Sequence, residues 1–263
     1  SCKKTLFDEY ELTEEFVDLE IGDKVGFIAS SHGNIIALKI IVEKLKNTNV
    51  KIIFHLGDIM DEHAGYLECM EYVMNEPLIK PIVGNHDLLI VNQDKVHNYE
   101  EEYLALAKRA SEKFMNNRIF YDFLMNMPAK VETPYFSVVH ESVKSPYYAK
   151  ITKLKKKSSE YGKTPDENLE AVFNCTLPHP YFTGSDHQAY IISGSKIKRE
   201  NIPPNTTVNV KGGKIISVPS VSLSKDANYT HGYCIAEILE DKSLNVSYYD
   251  LPYLLIDNNE GML

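Results

Sequence analysis

The stretch Lys24-Val25-Gly26-Phe27-Ile28-Ala29-Ser30-Ser31-His32-Gly33-Asn34 decides the fold. A short apolar run that breaks into small and polar residues reads as a buried strand with a turn after it. Residues 35–45 switch to helical period with a lysine-rich outer face. Residues 50–56 repeat the strand pattern and end in Gly57-Asp58, and a helix is expected over about residues 65–75. A third short strand, residues 79–83, runs straight into Gly84-Asn85-His86-Asp87. Strands alternating with helices at this spacing imply a sheet with parallel neighbours, whose ligands gather beyond the carboxyl ends of the strands. All three strands end in polar clusters, so chemistry is expected at those ends.

Outward from this core, residues 95–127 have helical period and read as two helices inserted as a cap or side wall. Residues 135–140 form another strand, ending in His140-Glu141-Ser142, and residues 190–193 a buried one ending in Gly194-Ser195. Residues 214–218, 232–239 and 244–249 alternate like a second, mostly antiparallel sheet. Residues 1–23 read as an acidic arm with a short helix at 12–16, residues 24–250 as the main domain, and 251–263 as a C-terminal tail.

Composition bounds the function. The chain of 263 residues is 43% hydrophobic and 25% charged, with a formal net charge of −9. That balance argues against general nucleic-acid binding. Apolar runs fall short of the ~20 residues that a membrane span requires. Cys2, Cys69, Cys175 and Cys234 lie far apart with no CxxC spacing, so neither a zinc ribbon nor a disulfide framework is expected. The expected location is cytoplasmic, with a lipid anchor on Cys2 as the alternative.

His32, Asp58, Asn85, His86 and His140 all stand just past strand ends. Imidazole nitrogens and carboxylate oxygens suit Mn, Fe or Zn, and a carboxylate can bridge two ions. Two such ions clamp a phosphate and activate water for in-line attack. The ordered set Gly57-Asp58, Gly84-Asn85-His86-Asp87 and His140 resembles the calcineurin-like metallophosphoesterase family. Its pattern runs Asp-x-His, Gly-Asp, Gly-Asn-His-Asp/Glu, His, then Gly-His-x-His. The resemblance implies an α/β fold, a four-layer αββα sandwich of two mixed sheets.

By the same resemblance, His32 is the histidine of the first motif, with Ser30 at its aspartate position. Asp58 is the bridging carboxylate, Asn85 and His140 are ligands of the second metal, and His86 is the catalytic histidine facing the phosphate. With the last motif placed on Gly194-Ser195-Lys196-Ile197, both of its histidines are absent. The first metal position then keeps only His32 and Asp58. The second keeps Asp58, Asn85 and His140 and could hold one Mn, Fe or Zn ion. Lys196 at a ligand position could hold a phosphate oxygen as a point charge. His63, in the loop after Asp58, is a possible recruited ligand. His55, His97, His179, His187 and His231 lack a strand-end motif and read as structural.

Three functions follow. The first is binding of a phosphate-containing ligand or a protein partner at an incomplete dinuclear site, with weak or no hydrolysis. The second is an active phosphoesterase, on phosphomonoesters or phosphodiesters, using one metal or recruited ligands. The third is a metal-free interaction scaffold docking through the acidic arm, the insertion or the lysines of residues 144–157. Loss of three ligands favours the first over the second.

Overall fold

The computed structural model describes residues 13–60, 65–91, 108–109, 111–141, 143, 176–193, 198–222 and 231–251. Among these residues, thirteen strands form two mixed sheets. The six-stranded sheet runs β10-β13-β12-β2-β3-β4, with β2 (Lys24–Ile28), β3 (Ile52–His55) and β4 (Ile79–Pro81) mutually parallel. β12 (Gly232–Ile238), β13 (Leu244–Asp250) and β10 (Thr206–Val210) extend it antiparallel. The second sheet runs β1-β5-β6-β7-β11-β8-β9. Its strands are β1 (Glu14–Phe16), β5 (Lys130–Glu132), β6 (Ser137–Val139), β7 (Tyr181–Thr183), β8 (Tyr190–Ser193), β9 (Lys198–Asn201) and β11 (Ile215–Ser217).

Strand alternation explains the layers. Val25, Phe27 and Ala29 face the seven-stranded sheet and join Phe54, Phe136, Val138, Phe182 and Ile216 in one buried cluster. Phe27 of one sheet stacks on Phe182 of the other with ring centroids 3.7 Å apart, and Phe54 and Phe136 close around them. Ile28 and Ile53 point the other way, to the helices.

Those helices are α1 (Ile35–Lys46), α2 (Tyr66–Asn75), α3 (Asn85–Val91) and α4 (Arg118–Met125). Each sends apolar side chains into the same cluster: Leu38 and Ile41, Cys69 and Met70, Leu88, and Leu124. α1 starts cleanly because the Asn34 side chain accepts from the Ala37 N–H at 3.1 Å, one of the donors that a helix start leaves open. The described part of the 95–127 insertion is helical, at 111–115 and α4, and buries Phe114 and Leu124 in this cluster. No described helix is long and apolar enough to cross a membrane.

Two expectations change. Residues 14–16 of the arm are a strand, not a helix: β1 pairs parallel with β5, Glu15 opposite Val131, and Glu15 forms an ion pair with Lys80 of β4. A strand edge that would otherwise be open outweighs the weak helix preference of two glutamates. The C-terminal runs do not share one sheet either. β11 lies in the seven-stranded sheet, parallel to β7, while β12 and β13 complete the sheet that holds β2.

Candidate metal centre

The site is assembled from loops that leave the carboxyl ends of β2, β3, β4, β6 and β7. Backbone bonds stitch them together. Ser30 N–H donates to Gly57 O at 3.0 Å, His32 N–H to Asp58 O at 3.0 Å, and Gly184 N–H to His140 O at 2.9 Å. Asp87 fixes the Asp58 loop: its carboxylate accepts from the N–H groups of Asp58, Ile59, Met60 and Gly84 at 2.8 to 3.1 Å. The Asp87 side chain is therefore an anchor for the site rather than a member of it.

Close approach explains the glycines on either side of Asp58. A Cβ on Gly84 would stand 2.1 Å from Asp58 Oδ1, and one on Gly57, whose φ is +91°, would meet Gly84 N at 2.7 Å. The site residues themselves carry strain. Among the described residues, seven that are not glycine have positive φ, and Ser30, His32, Asp58 and His187 are four of them. Such conformations cluster where a surrounding structure holds side chains in place for function.

Asp58, 3% exposed, is the centre. Its Oδ1 accepts from the His86 N–H at 3.0 Å, and its Oδ2 lies 3.2 Å from His140 Nε2. Burial would raise the Asp58 carboxyl, but His140, His86 and His32 together hold it well below the usual carboxylate range. His140 donates from Nδ1 to Leu56 O at 2.6 Å, which turns Nε2 to Asp58 and to Asn85 Oδ1, 3.0 Å away. A carbonyl behind one ring nitrogen is the usual way to aim the other at a metal. Burial pushes the His140 imidazole down, but the Asp58 charge and the hydrogen bonds to Asp58 and Leu56 outweigh it and raise it to about 8.

On the other side of Asp58, His32 Nε2 lies 3.2 Å from His187 Nε2. One ligand atom each from His32, Asp58 and His187 falls within 4.8 Å of the others. His86, half-buried, sets its ring edge-on to His32 with centroids 5.1 Å apart. Two imidazoles and a carboxylate converging in a mostly buried place form a donor set that suits a divalent transition metal. The residues fit the group.

His187 is the residue that sequence reading missed. β7 runs parallel to β6, so Gly184 follows it to the same end of the sheet as His140. Gly184-Ser185-Asp186-His187 therefore leaves β7 on the side of the sheet where His32 and Asp58 stand, and its histidine reaches them. The last motif is expected on Gly194-Ser195-Lys196-Ile197. Those residues lie outside the described ones, and β8, which leads into them, runs opposite to β7. Ile192 pairs with Ile215, and Ile215 with Tyr181, the first residue of β7. The roles expected of Ser195, Ile197 and Lys196 therefore lie outside the described residues. His63 lies outside the described residues, as do residues 144–157 and Cys2. The signal for His187 was a buried strand, residues 181–183, followed at once by Gly-Ser-Asp-His.

His55, read as structural, is so. Its Nδ1 accepts from the Gly57 N–H at 3.3 Å, and its Nε2 meets Ser31 Oγ at 2.9 Å, which donates onward to Ile59 O at 3.1 Å. Burial pushes its imidazole down to about 3, so it stays neutral beneath the site.

This fold, two mixed sheets with a His/Asp cluster beyond their strand ends, has counterparts among known proteins. The profile of the calcineurin-like phosphoesterase family matches residues 24–171, more than half of the chain. The chain belongs to that family, whose members typically depend on divalent metals and act on phosphate-containing substrates. An uncharacterized protein of Methanocaldococcus jannaschii is 31% identical over 108 residues, 41% of this chain and 43% of that protein. The chain thus matches less than half the length of this curated relative. Among solved structures, a metallophosphoesterase from Sphaerobacter thermophilus superposes with TM-score 0.66 at 18% identity, covering 89% of this chain and 90% of that one. A hypothetical protein from Pyrococcus horikoshii gives 0.62 at 14% identity, covering 89% and 91%. At those identities the likeness concerns the fold.

Proposed function

We propose that the protein is a metal-dependent phosphoesterase whose centre keeps three donors at each of two positions. His32, Asp58 and His187 would hold one ion, and Asp58, Asn85 and His140 the other. The observation that carries this reading is the 3.2 Å approach of His187 to His32 beside Asp58. Gly184-Ser185-Asp186-His187 would take the place of the family's Gly-His-x-His, with Ser185 for its first histidine and His187 as its second, and a retained histidine favours hydrolysis over binding without turnover. The ions would supply charge to hold the phosphate and activate water. His86, half-buried at the rim, would stabilise charge on the phosphoryl oxygens or protonate the leaving alkoxide. Asp58 joins both positions, and the carbonyl of Leu56 keeps His140 aimed.

The test is hydrolysis of an aryl phosphate monoester and diester by protein loaded with Mn, Fe or Zn. Turnover should fall ~10²-fold or more in Asp58→Asn and in His187→Ala. A loaded wild type that binds phosphate but turns over neither substrate would return the protein to a binding role.

A further inference from the structure

We infer that Ser30 is a clasp positioning the His187 loop, not a vacated ligand seat; this rests on the metal-centre reading above. Every polar group of Ser30 is committed, and the residue is 0% exposed. Its N–H donates to Gly57 O at 3.0 Å, and its carbonyl accepts from Ser222 N at 3.0 Å and from Ser220 Oγ at 3.1 Å. Its hydroxyl donates to Gly184 O at 2.9 Å. One side chain thus ties the end of β2, two residues before His32, to the end of β7, three residues before His187. Those are the two imidazoles that meet at 3.2 Å.

The chemistry of the side chain decides its role. Gly184 O is an acceptor, so position 30 must supply a donor. A carboxylate has none when ionised and would set its charge against the carbonyl oxygen. Gly184 also fits tightly: a Cβ there would lie 2.7 Å from both Ala29 Cβ and Leu56 Cβ. The hydroxyl therefore acts on backbone already pressed against β2 and β3. Without it, a buried carbonyl loses its partner and the loop shifts to recover one. Ser30 acts on the metal position through His187, as a positioning residue.

Cobalt(II) titration followed by visible absorption tests this without using activity, with His187→Ala as the reference for a lost position. Ser30→Ala should weaken Co(II) binding ~10-fold or more, as loss of an outer hydrogen bond does at other metal sites, and bring the titration toward that of His187→Ala. Ser30→Asn should stay within about threefold of wild type, because its amide donates and asparagine tolerates the φ of +54°. Ser30→Asp should bind more weakly than Ser30→Asn. The clasp is overturned if Ser30→Ala matches wild type, or if Ser30→Asp binds more tightly than wild type. Should Ser30→Ala fail to fold, Ser30→Asn decides alone: wild-type binding supports the clasp, and binding as weak as that of His187→Ala overturns it. A wild type that takes up no Co(II) at all sinks the metal centre itself.

Discussion

His55 shows what a single buried side chain does to pH behaviour. Its imidazole titrates at 6.5 in an open chain and at about 3 in the fold, because burial disfavours the cation. A lowered pKa contributes stability that is fully present above 6.5 and lost as pH falls toward 3. Each pH unit in that window removes up to ~1.4 kcal/mol per proton. Metal-free protein should therefore lose about 2 kcal/mol between pH 6.5 and 5 through this residue alone. Urea unfolding at the two pH values measures it, and His55→Asn should show a correspondingly smaller loss. An equal acid loss in wild type and variant would place the sensitivity elsewhere. The fold depends on this neutral ring because it holds Ser31 and Gly57 together directly under the strand ends.

At the scale of elements, the decisive contact is between the turn after β3 and the turn after β4. Gly84 lets the two backbones touch, and Asp87, at the start of α3, binds the Asp58 turn through four N–H groups. Gly84→Ala would drive a methyl to 2.1 Å from Asp58 Oδ1 and 2.3 Å from Asp58 N. Backbone lies on one side, so relief must come from moving α3 or the turn. The expected result is a loss of roughly 2–4 kcal/mol in stability together with weaker metal uptake, read by thermal unfolding with and without Mn. Unchanged uptake in a folded Gly84→Ala protein would mean that the turns tolerate separation.

For the molecule as a whole, the parallel core was legible because β2, β3 and β4 each follow the simplest rule, an apolar run closed by a polar cluster. Gly57-Asp58 and Gly84-Asn85-His86-Asp87 declared themselves for the same reason. His187 did not. Its turn reads Gly-Ser-Asp-His, with serine where Gly-His-x-His has its first histidine, and β7 contributes only three residues, too few to show a period. Strand direction, which sequence does not carry, was needed to choose between the turn after β7 and the turn after β8. β1 was hidden for a related reason: its pairing partner, β5, is far away in sequence.

That pairing has a consequence for handling the protein. β1 covers one side of β5, and Glu15 bonds to Lys80 across the gap between the sheets. A version cut before residue 18 would leave β5 with unsatisfied main-chain groups along its flank, ready to zip against another copy. Gel filtration should then report dimers or larger species that grow with concentration, where the uncut chain elutes unchanged over the same range.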